Sequence, residues 1–135
     1  MKELVLFYSY SGNTKKIAEK FSQDNNFNIC EIIDIKKPNK FYAYTSGCFK
    51  AMRSSVFPIK EPAVKFADYD IINIFAPVWA GNPAPSMNGA LKLIPKNTKV
   101  KLFMVSASGI SNKNGISKRA QNLGLEVIGY EDIKN

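Results

Sequence analysis

Near-continuous apolar runs alternate with amphipathic stretches along the whole chain. Such runs are typical of strands buried on both faces of a parallel sheet, and apolar residues three or four positions apart are typical of covering helices. The pattern predicts five strands, at residues 3–9, 27–35, 70–78, 99–108 and 125–130. It also predicts helices that begin near Asn13 or Thr14 and that cover 83–94 and 112–124, the last ended by Gly124.

The alternation of strand and helix predicts an α/β fold, a three-layer sandwich with helices on both faces of a parallel sheet. No linker or repeat interrupts the pattern, so residues 1–135 are expected to form a single domain. Residues 41–56 have ragged periodicity and contain Gly47, which predicts a short helix within an irregular excursion.

Composition narrows the classes of function. The chain has 135 residues, 45% of them hydrophobic, and no apolar run approaches the ~20 residues that span a bilayer, so a cytoplasmic protein without membrane contact is expected. Cys30 and Cys48 show no metal-ligand spacing and are expected to be free thiols. The chain has no histidine, which removes the commonest general base and most transition-metal sites, so neither catalytic side chains nor a metal are expected.

The net charge of +8 is concentrated in one segment, since residues 36–60 contain no acidic residue. The cations there are Lys36, Lys37, Lys40, Lys50, Arg53 and Lys60. Such a run is either a solvated face or a surface for acidic partners and phosphate-bearing ligands. Nucleic-acid binding is disfavoured because no recognised module accompanies the charge.

Small hydrogen-bonding residues follow the first predicted strand. Because a helix begins directly after them, its N–H groups and dipole could hold a phosphate between uncharged donors. The alternative is ordinary helix capping, but a cap needs one such residue and the loop supplies several. The candidate residues are Ser9, Tyr10, Ser11, Gly12, Asn13 and Thr14.

Two further loops are expected at the same edge of the sheet. The loop after the third strand contains the one tryptophan of the chain, which either stacks on a flat ring or packs under its own loop. Its candidates are Pro77, Val78, Trp79, Ala80 and Gly81. The loop after the fourth strand either presents backbone amides to a heterocycle or is only a flexible connection, and its candidates are Ser106, Ala107, Ser108 and Gly109.

With these motifs in place, the chain resembles the flavodoxin family, whose members bind FMN. The resemblance implies a sheet in the order 2-1-3-4-5, an FMN phosphate in the first loop, and the isoalloxazine between the second and third loops. The chain departs from the family in being basic and in leaving only residues 131–135 for a final helix, which we therefore expect to be truncated or missing. The loss of that cover would leave an apolar face near the fifth strand, with a homodimer as one consequence.

The resemblance implies two alternative functions. In the first, the protein is an FMN-binding electron-transfer protein that docks on redox partner proteins, preferably acidic ones. In the second, it is a small NAD(P)H-dependent FMN or quinone reductase, in which residues 41–57 would roof a substrate pocket. In either case, the surplus of positive charge should stabilise an anionic reduced flavin.

Overall fold

A computed structural model of the protein describes residues 1–37, 39 and 56–135. In that part of the chain there are six strands: β1 Glu3–Phe7, β2 Asn28–Glu31, β3 Ile71–Trp79, β4 Asn82–Pro83, β5 Lys99–Ser106 and β6 Glu126–Lys134. The same residues form three α-helices, α1 Asn13–Asn25, α2 Pro85–Leu91 and α3 Lys113–Asn122, and a 3-10 turn over Phe66–Asp68.

The strands form one sheet in the order β2-β1-β3-β5-β6, and all neighbours along this path are parallel. The two-residue strand β4 lies off the path and pairs antiparallel with the end of β3. Apart from this addition, the order is the predicted 2-1-3-4-5, so the predicted topology is confirmed.

Helices cover both faces of the sheet, which confirms the three-layer sandwich. Alternate residues of β1 enter different cores because successive side chains of a strand point to opposite faces. Leu4 and Leu6 belong to the larger core, together with side chains of α2 and α3. Val5 and Phe7 belong to the smaller core, which is closed by α1. In the smaller core, the rings of Phe75 and Phe103 stack with centroids 4.4 Å apart.

Several predicted bounds are wrong, each for a local reason. The second strand was predicted over 27–35 but pairs with β1 only over Asn28–Glu31, because Asp34 instead forms an antiparallel bridge with Ile59. The helix predicted over 83–94 is limited to Pro85–Leu91, because Pro83 belongs to β4. The strand predicted over 99–108 ends at Ser106, where the chain turns.

The strand predicted over 125–130 continues to Lys134, because residues 131–134 keep their pairing with β5. The helix predicted over 112–124 ends at Asn122, and Gly124 follows it with φ +86°, as expected of a helix stop. Of the segment 41–56, which was predicted to contain a short helix, only Val56 is among the described residues. Cys48 lies outside them. Cys30 is a free, buried thiol.

Residues 131–134, which were expected to remain for a final helix, instead continue β6. The face that a final helix would cover is mixed, since Phe103 and Ile133 also lie there against the smaller core. Lys101 and Glu131 lie on the same face as Phe103. Lys101 is two residues before Phe103 on β5, and Glu131 pairs with Phe103. Lys101 lies against Gly129, where an added Cβ would stand 3.3 Å from Lys101 Cγ. This end of the sheet therefore presents both charged and apolar side chains.

Within the ranges that the structure describes, no helix is both long and apolar enough to cross a membrane. The same residues contain no group of three or more histidine, cysteine, aspartate or glutamate side chains placed to hold a metal ion.

Candidate functional site

Three loops follow β1, β3 and β5, which are adjacent parallel strands. Their carboxyl ends therefore lie in a row at one edge of the sheet, with the β3 loop in the middle. Ligands of open α/β sheets bind at this edge, near the point where the strand order reverses. Here that point is β1/β3, so the first two loops flank it.

The first loop turns into α1 through a glycine. Gly12 is the cap residue of the helix, with φ +102°, and its N–H donates to Ser9 Oγ at 3.1 Å. A glycine has no side chain that could accept from the first N–H groups of α1, and the hydroxyl hydrogen of Ser9 stays available as a donor. The helix start therefore has no side-chain cap, so ordinary capping does not account for the polar residues of the loop.

The second loop is tighter than the sequence indicated. Pro77, Val78 and Trp79 belong to β3, and Trp79 pairs with Asn82 across a two-residue turn. The turn residues Ala80 and Gly81 both have positive φ, 51° and 82°, as a type I′ hairpin requires. Pro77 and Val78 lie in the strand predicted over 70–78, and β3 continues one residue further than predicted, so only Ala80 and Gly81 form the turn.

Trp79 is half-buried between two other rings. The Tyr10 ring meets it edge-on, with centroids 5.7 Å apart and planes at 81°, and the Phe57 ring stands 6.4 Å away. Tyr10 belongs to the first loop, so the first and second loops are in direct contact. Trp79 also packs against the larger core.

The third loop repeats the geometry of the first. The Gly109 N–H donates to Ser106 Oγ at 2.9 Å, and Gly109 has φ +71°. The backbone N–H of Asn135 donates to the Ser106 carbonyl at 2.9 Å, which ties the end of β6 to this loop. Ala107 and Ser108 are exposed at its tip. The loop is therefore a hydrogen-bonded turn rather than a loose connection.

The hairpin after β3 is also joined to α3. The Asn112 backbone N–H donates to the Gly81 carbonyl at 2.7 Å, and Asn112 Nδ2 donates to Asn82 Oδ1 at 3.4 Å. Asn112 is at the same time the cap of α3, where its side chain accepts from the Gly115 N–H. The position of the hairpin is thus fixed from both sides.

Asp34, a half-buried residue that the sequence analysis missed, links the end of β1 to the start of α2. The Tyr8 hydroxyl donates to Asp34 Oδ2 at 2.7 Å, and the Ser86 hydroxyl donates to Asp34 Oδ1. Burial, followed by the hydrogen bond and the charge of Asp34, raises the pKa of Tyr8 well above its usual range. Tyr8 and Ser86 are at most 2% exposed, so Asp34 supplies the acceptor that these two buried hydroxyls need.

The backbone of Asp34 also forms an antiparallel bridge. The Lys60 N–H donates to the Ile33 carbonyl at 2.8 Å and the Ile35 N–H to the Pro58 carbonyl at 3.2 Å, on either side of the Asp34–Ile59 bridge. We call residues 33–35 and 58–60 the clasp. The clasp places Phe57 beside Trp79, and no sequence signal indicated it because its two segments are distant in the chain.

Lys37 is the second residue that the sequence analysis did not assign to the site. Its Nζ donates to the Tyr10 carbonyl at 2.8 Å and lies 4.7 Å from the centroid of the Tyr10 ring. The first loop has no cation of its own. The signal in the sequence was the basic run from residue 36, but that run does not show which lysine contacts the first loop.

A surface depression lies elsewhere, lined by Met1, Asp70, Asn97 and Lys99. These residues are at the amino ends of the strands, the opposite edge of the sheet from the three loops. Among the described residues, its lining includes neither a helix N-terminus nor an aromatic side chain, so we place the candidate site at the carboxyl edge.

Solved structures show the same architecture. A flavoprotein from Lactobacillus acidophilus, solved in complex with FMN, is 27% identical, with 96% of this chain and 91% of that one covered and a TM-score of 0.77. A flavoprotein from Bacteroides eggerthii is 19% identical over 96% and 86% of the two chains, with a TM-score of 0.79. Flavodoxin 1 from Bacillus cereus is 19% identical over 100% and 86%, with a TM-score of 0.55.

The chain has the flavodoxin-like fold. The predicted resemblance is therefore confirmed, and the three loops of this flavodoxin-like chain lie at the edge where the fold carries its ligand site. No family model matches the sequence, and no curated protein matches it significantly. The similarity is thus carried by the architecture.

Proposed function

We propose that this chain binds FMN with its three loops. The first loop would hold the phosphate with the hydroxyls of Ser9, Ser11 and Thr14, the Asn13 amide and the N–H groups that follow Gly12. The hairpin from Pro77 to Gly81 and the third loop from Ser106 to Gly109 would border the ring. The proposal is supported by the similarity to a flavoprotein that was solved with FMN.

The observation that carries the proposal is the contact between Tyr10 and Trp79. FMN has a phosphate and a flat ring system joined by a ribityl chain, so its site needs an anion-binding loop beside an aromatic surface. Here the residue that leads into the anion-binding turn touches the tryptophan directly. A phosphate-binding loop without a neighbouring ring platform would suit many other anions equally well.

The chemistry of the donors also fits the group. The phosphate would meet neutral hydroxyls, backbone N–H groups and the positive end of the 13-residue helix α1. FMN supplies the redox chemistry when it is bound, and the chain supplies binding, orientation and the local field. The hydrogen-bonded turns at Gly12 and Gly109 fix the loops before binding, which lowers the entropy cost of binding.

The first experiment is a titration of the flavin-free protein with FMN, followed by quenching of flavin fluorescence and by thermal unfolding. We expect saturable quenching and a raised Tm, with weaker binding of riboflavin because riboflavin lacks the phosphate. If FMN gives neither quenching nor a higher Tm, the proposal is wrong. Equal affinity for FMN and riboflavin would contradict the assignment of the first loop to the phosphate.

We further propose that the protein is an electron carrier rather than a reductase. Ala80, Ala107 and Ser108 are small, uncharged and exposed at the tips of the two loops that would border the ring, so a macromolecular partner could approach its edge. An acidic redox protein would complement the net charge of +8. The FMN-loaded protein should therefore oxidise NADPH with a quinone only when a separate reductase is added. Steady turnover without that reductase would support the alternative, an NAD(P)H-dependent FMN or quinone reductase.

A further inference from the structure

Lys37 lies outside the loop that the sequence assigns to the phosphate, and the structure brings its ammonium group to that loop. Its Nζ is 2.8 Å from the carbonyl oxygen of Tyr10, two residues before the cap residue Gly12. An ammonium group has three N–H donors, so the bond to Tyr10 leaves two for another acceptor. The ammonium group is therefore bound to the loop and still has N–H donors for a ligand.

The chain holds Lys37 there by more than one contact. Its ammonium also lies 4.7 Å from the centroid of the Tyr10 ring, within the range of cation–π attraction. Two residues earlier, the Ile35 N–H donates to the Pro58 carbonyl at 3.2 Å, and Asp34 accepts from two buried hydroxyls. The clasp thus fixes the backbone that leads to Lys37.

Another lysine near the loop is directed elsewhere. Lys15, in the first turn of α1, has its Nζ 3.9 Å from Glu31 Oε1 at the end of β2. Lys36 is exposed and next to Lys37 in the chain, and it carries the same charge. It therefore gives a matched control for any effect of net charge alone.

We propose that Lys37 is a specificity residue of the phosphate site, which selects a phosphorylated flavin over the unphosphorylated one. This inference rests on the proposed FMN binding. A phosphate monoester carries nearly two negative charges at neutral pH, and a charge-assisted hydrogen bond to it is stronger than a neutral one. The free N–H groups of Lys37 then add a cation to a loop whose other donors are uncharged.

The test measures the dissociation constants of FMN and riboflavin for the wild-type protein and for Lys37→Met, Lys37→Arg and Lys36→Met, at low ionic strength. In Lys37→Met we expect the FMN dissociation constant to rise about tenfold, because one charge-assisted hydrogen bond is lost, while the riboflavin constant changes little. Lys37→Arg should retain most of the preference because it keeps the charge. Lys36→Met should leave the preference nearly unchanged.

The decisive quantity is the ratio of the two dissociation constants. The proposal stands if the preference for FMN over riboflavin falls at least about threefold more in Lys37→Met than in Lys36→Met. A difference of this size exceeds the contribution of an exposed charge. The proposal is overturned by a smaller difference, including equal losses for both flavins, which would mean that Lys37 only positions Tyr10. If the wild-type protein binds neither flavin, the proposed function itself fails, and this result is distinct from a failure of Lys37.

Discussion

Ser11 shows how a single side chain in the first loop can be tested without disturbing the fold. It is exposed, and it directly precedes Gly12, the cap residue of α1. A negative charge near a helix N-terminus stabilises the helix, typically by about 0.3–1 kcal/mol. The same charge would repel a bound phosphate, so stability and binding should respond in opposite directions.

We therefore expect Ser11→Asp to keep or slightly raise the Tm of the flavin-free protein and to weaken FMN binding at least tenfold, a cost of about 1.4 kcal/mol. Riboflavin binding should change far less. Gln23→Asp is the matched control, because Gln23 is exposed on the same helix at its other end. Calorimetry and fluorescence titration give the two quantities, and an unchanged FMN affinity in Ser11→Asp would place the phosphate elsewhere.

Tyr8 has an environment that links stability to alkaline pH. Burial and the neighbouring Asp34 raise the pKa of Tyr8 above the ordinary value of 10.0. Above about pH 10 the unfolded chain therefore releases the tyrosine proton while the folded chain keeps it. The free energy of unfolding must then fall as the pH rises through this range, since the native state binds more protons.

Tyr8→Phe removes this contribution, although it also leaves Asp34 with one hydroxyl donor fewer. We expect the variant to be less stable at neutral pH but to lose stability less steeply than the wild-type protein between about pH 9.5 and 11. Urea unfolding at several pH values measures both slopes. If the free energies of unfolding of the two proteins fall in parallel with rising pH, Tyr8 does not titrate differently in the folded and unfolded states.

At the scale of elements, the clasp joins parts of the chain that would otherwise meet only at the sheet edge. Asp34 connects the end of β1, through Tyr8, with the first turns of α2, through Ser86. The Phe57 N–H donates to the Pro85 carbonyl at 3.2 Å, which adds a backbone contact between the neighbouring segment and the start of α2. The aromatic surroundings of Trp79 therefore depend on the clasp.

Asp34→Ala leaves two buried hydroxyls without their acceptor, and we expect it to lower the free energy of unfolding by about 2–3 kcal/mol. It should also shift the emission of Trp79, the one tryptophan of the chain, because losing the Asp34 side-chain bonds weakens the clasp that positions Phe57. The control is Asp24→Ala, which removes an exposed carboxylate 2.9 Å from Lys20 Nζ and should cost no more than about 0.5 kcal/mol. Equal losses in the two variants would show that the clasp contributes little.

At the scale of the whole molecule, the net charge of +8 is the main departure from an acidic flavodoxin. Long-range fields of this size change association rates by factors of about 10 to 1,000 and are screened by salt. If the protein is an electron carrier, its reaction rates with small redox probes should therefore depend on the sign of the probe's charge.

We expect the reduced, FMN-loaded protein to reduce ferricyanide, an anion, faster at low than at high ionic strength. Hexaammineruthenium(III), a cation, should show the opposite salt dependence and serves as the control. Stopped-flow absorbance of the flavin measures both rates. The same salt dependence for both probes would mean that the field of the net charge does not act on molecules at the flavin edge. The preference for acidic partners would then have no physical basis.

The architecture could be predicted from the sequence alone, because the period of the apolar residues is a local property. Apolar runs such as Leu4–Phe7 and a helical stripe such as Ile17, Ala18 and Phe21 predict strand and helix without knowledge of their neighbours. The alternation of the two then leaves few topologies. It also placed three polar loops at one edge, since parallel strands bring their carboxyl ends together.

Tertiary structure decided what depends on pairing between distant residues. The apolar run through Trp79 does not show that the strand turns back at Ala80 and Gly81, because this needs Asn82 as a pairing partner. The clasp joins Asp34 to Ile59, Tyr8 and Ser86, and Lys37 reaches Tyr10 across 27 positions. A charged or polar side chain has no periodicity that reveals its partner, so its role is fixed only when folding brings that partner within hydrogen-bond distance.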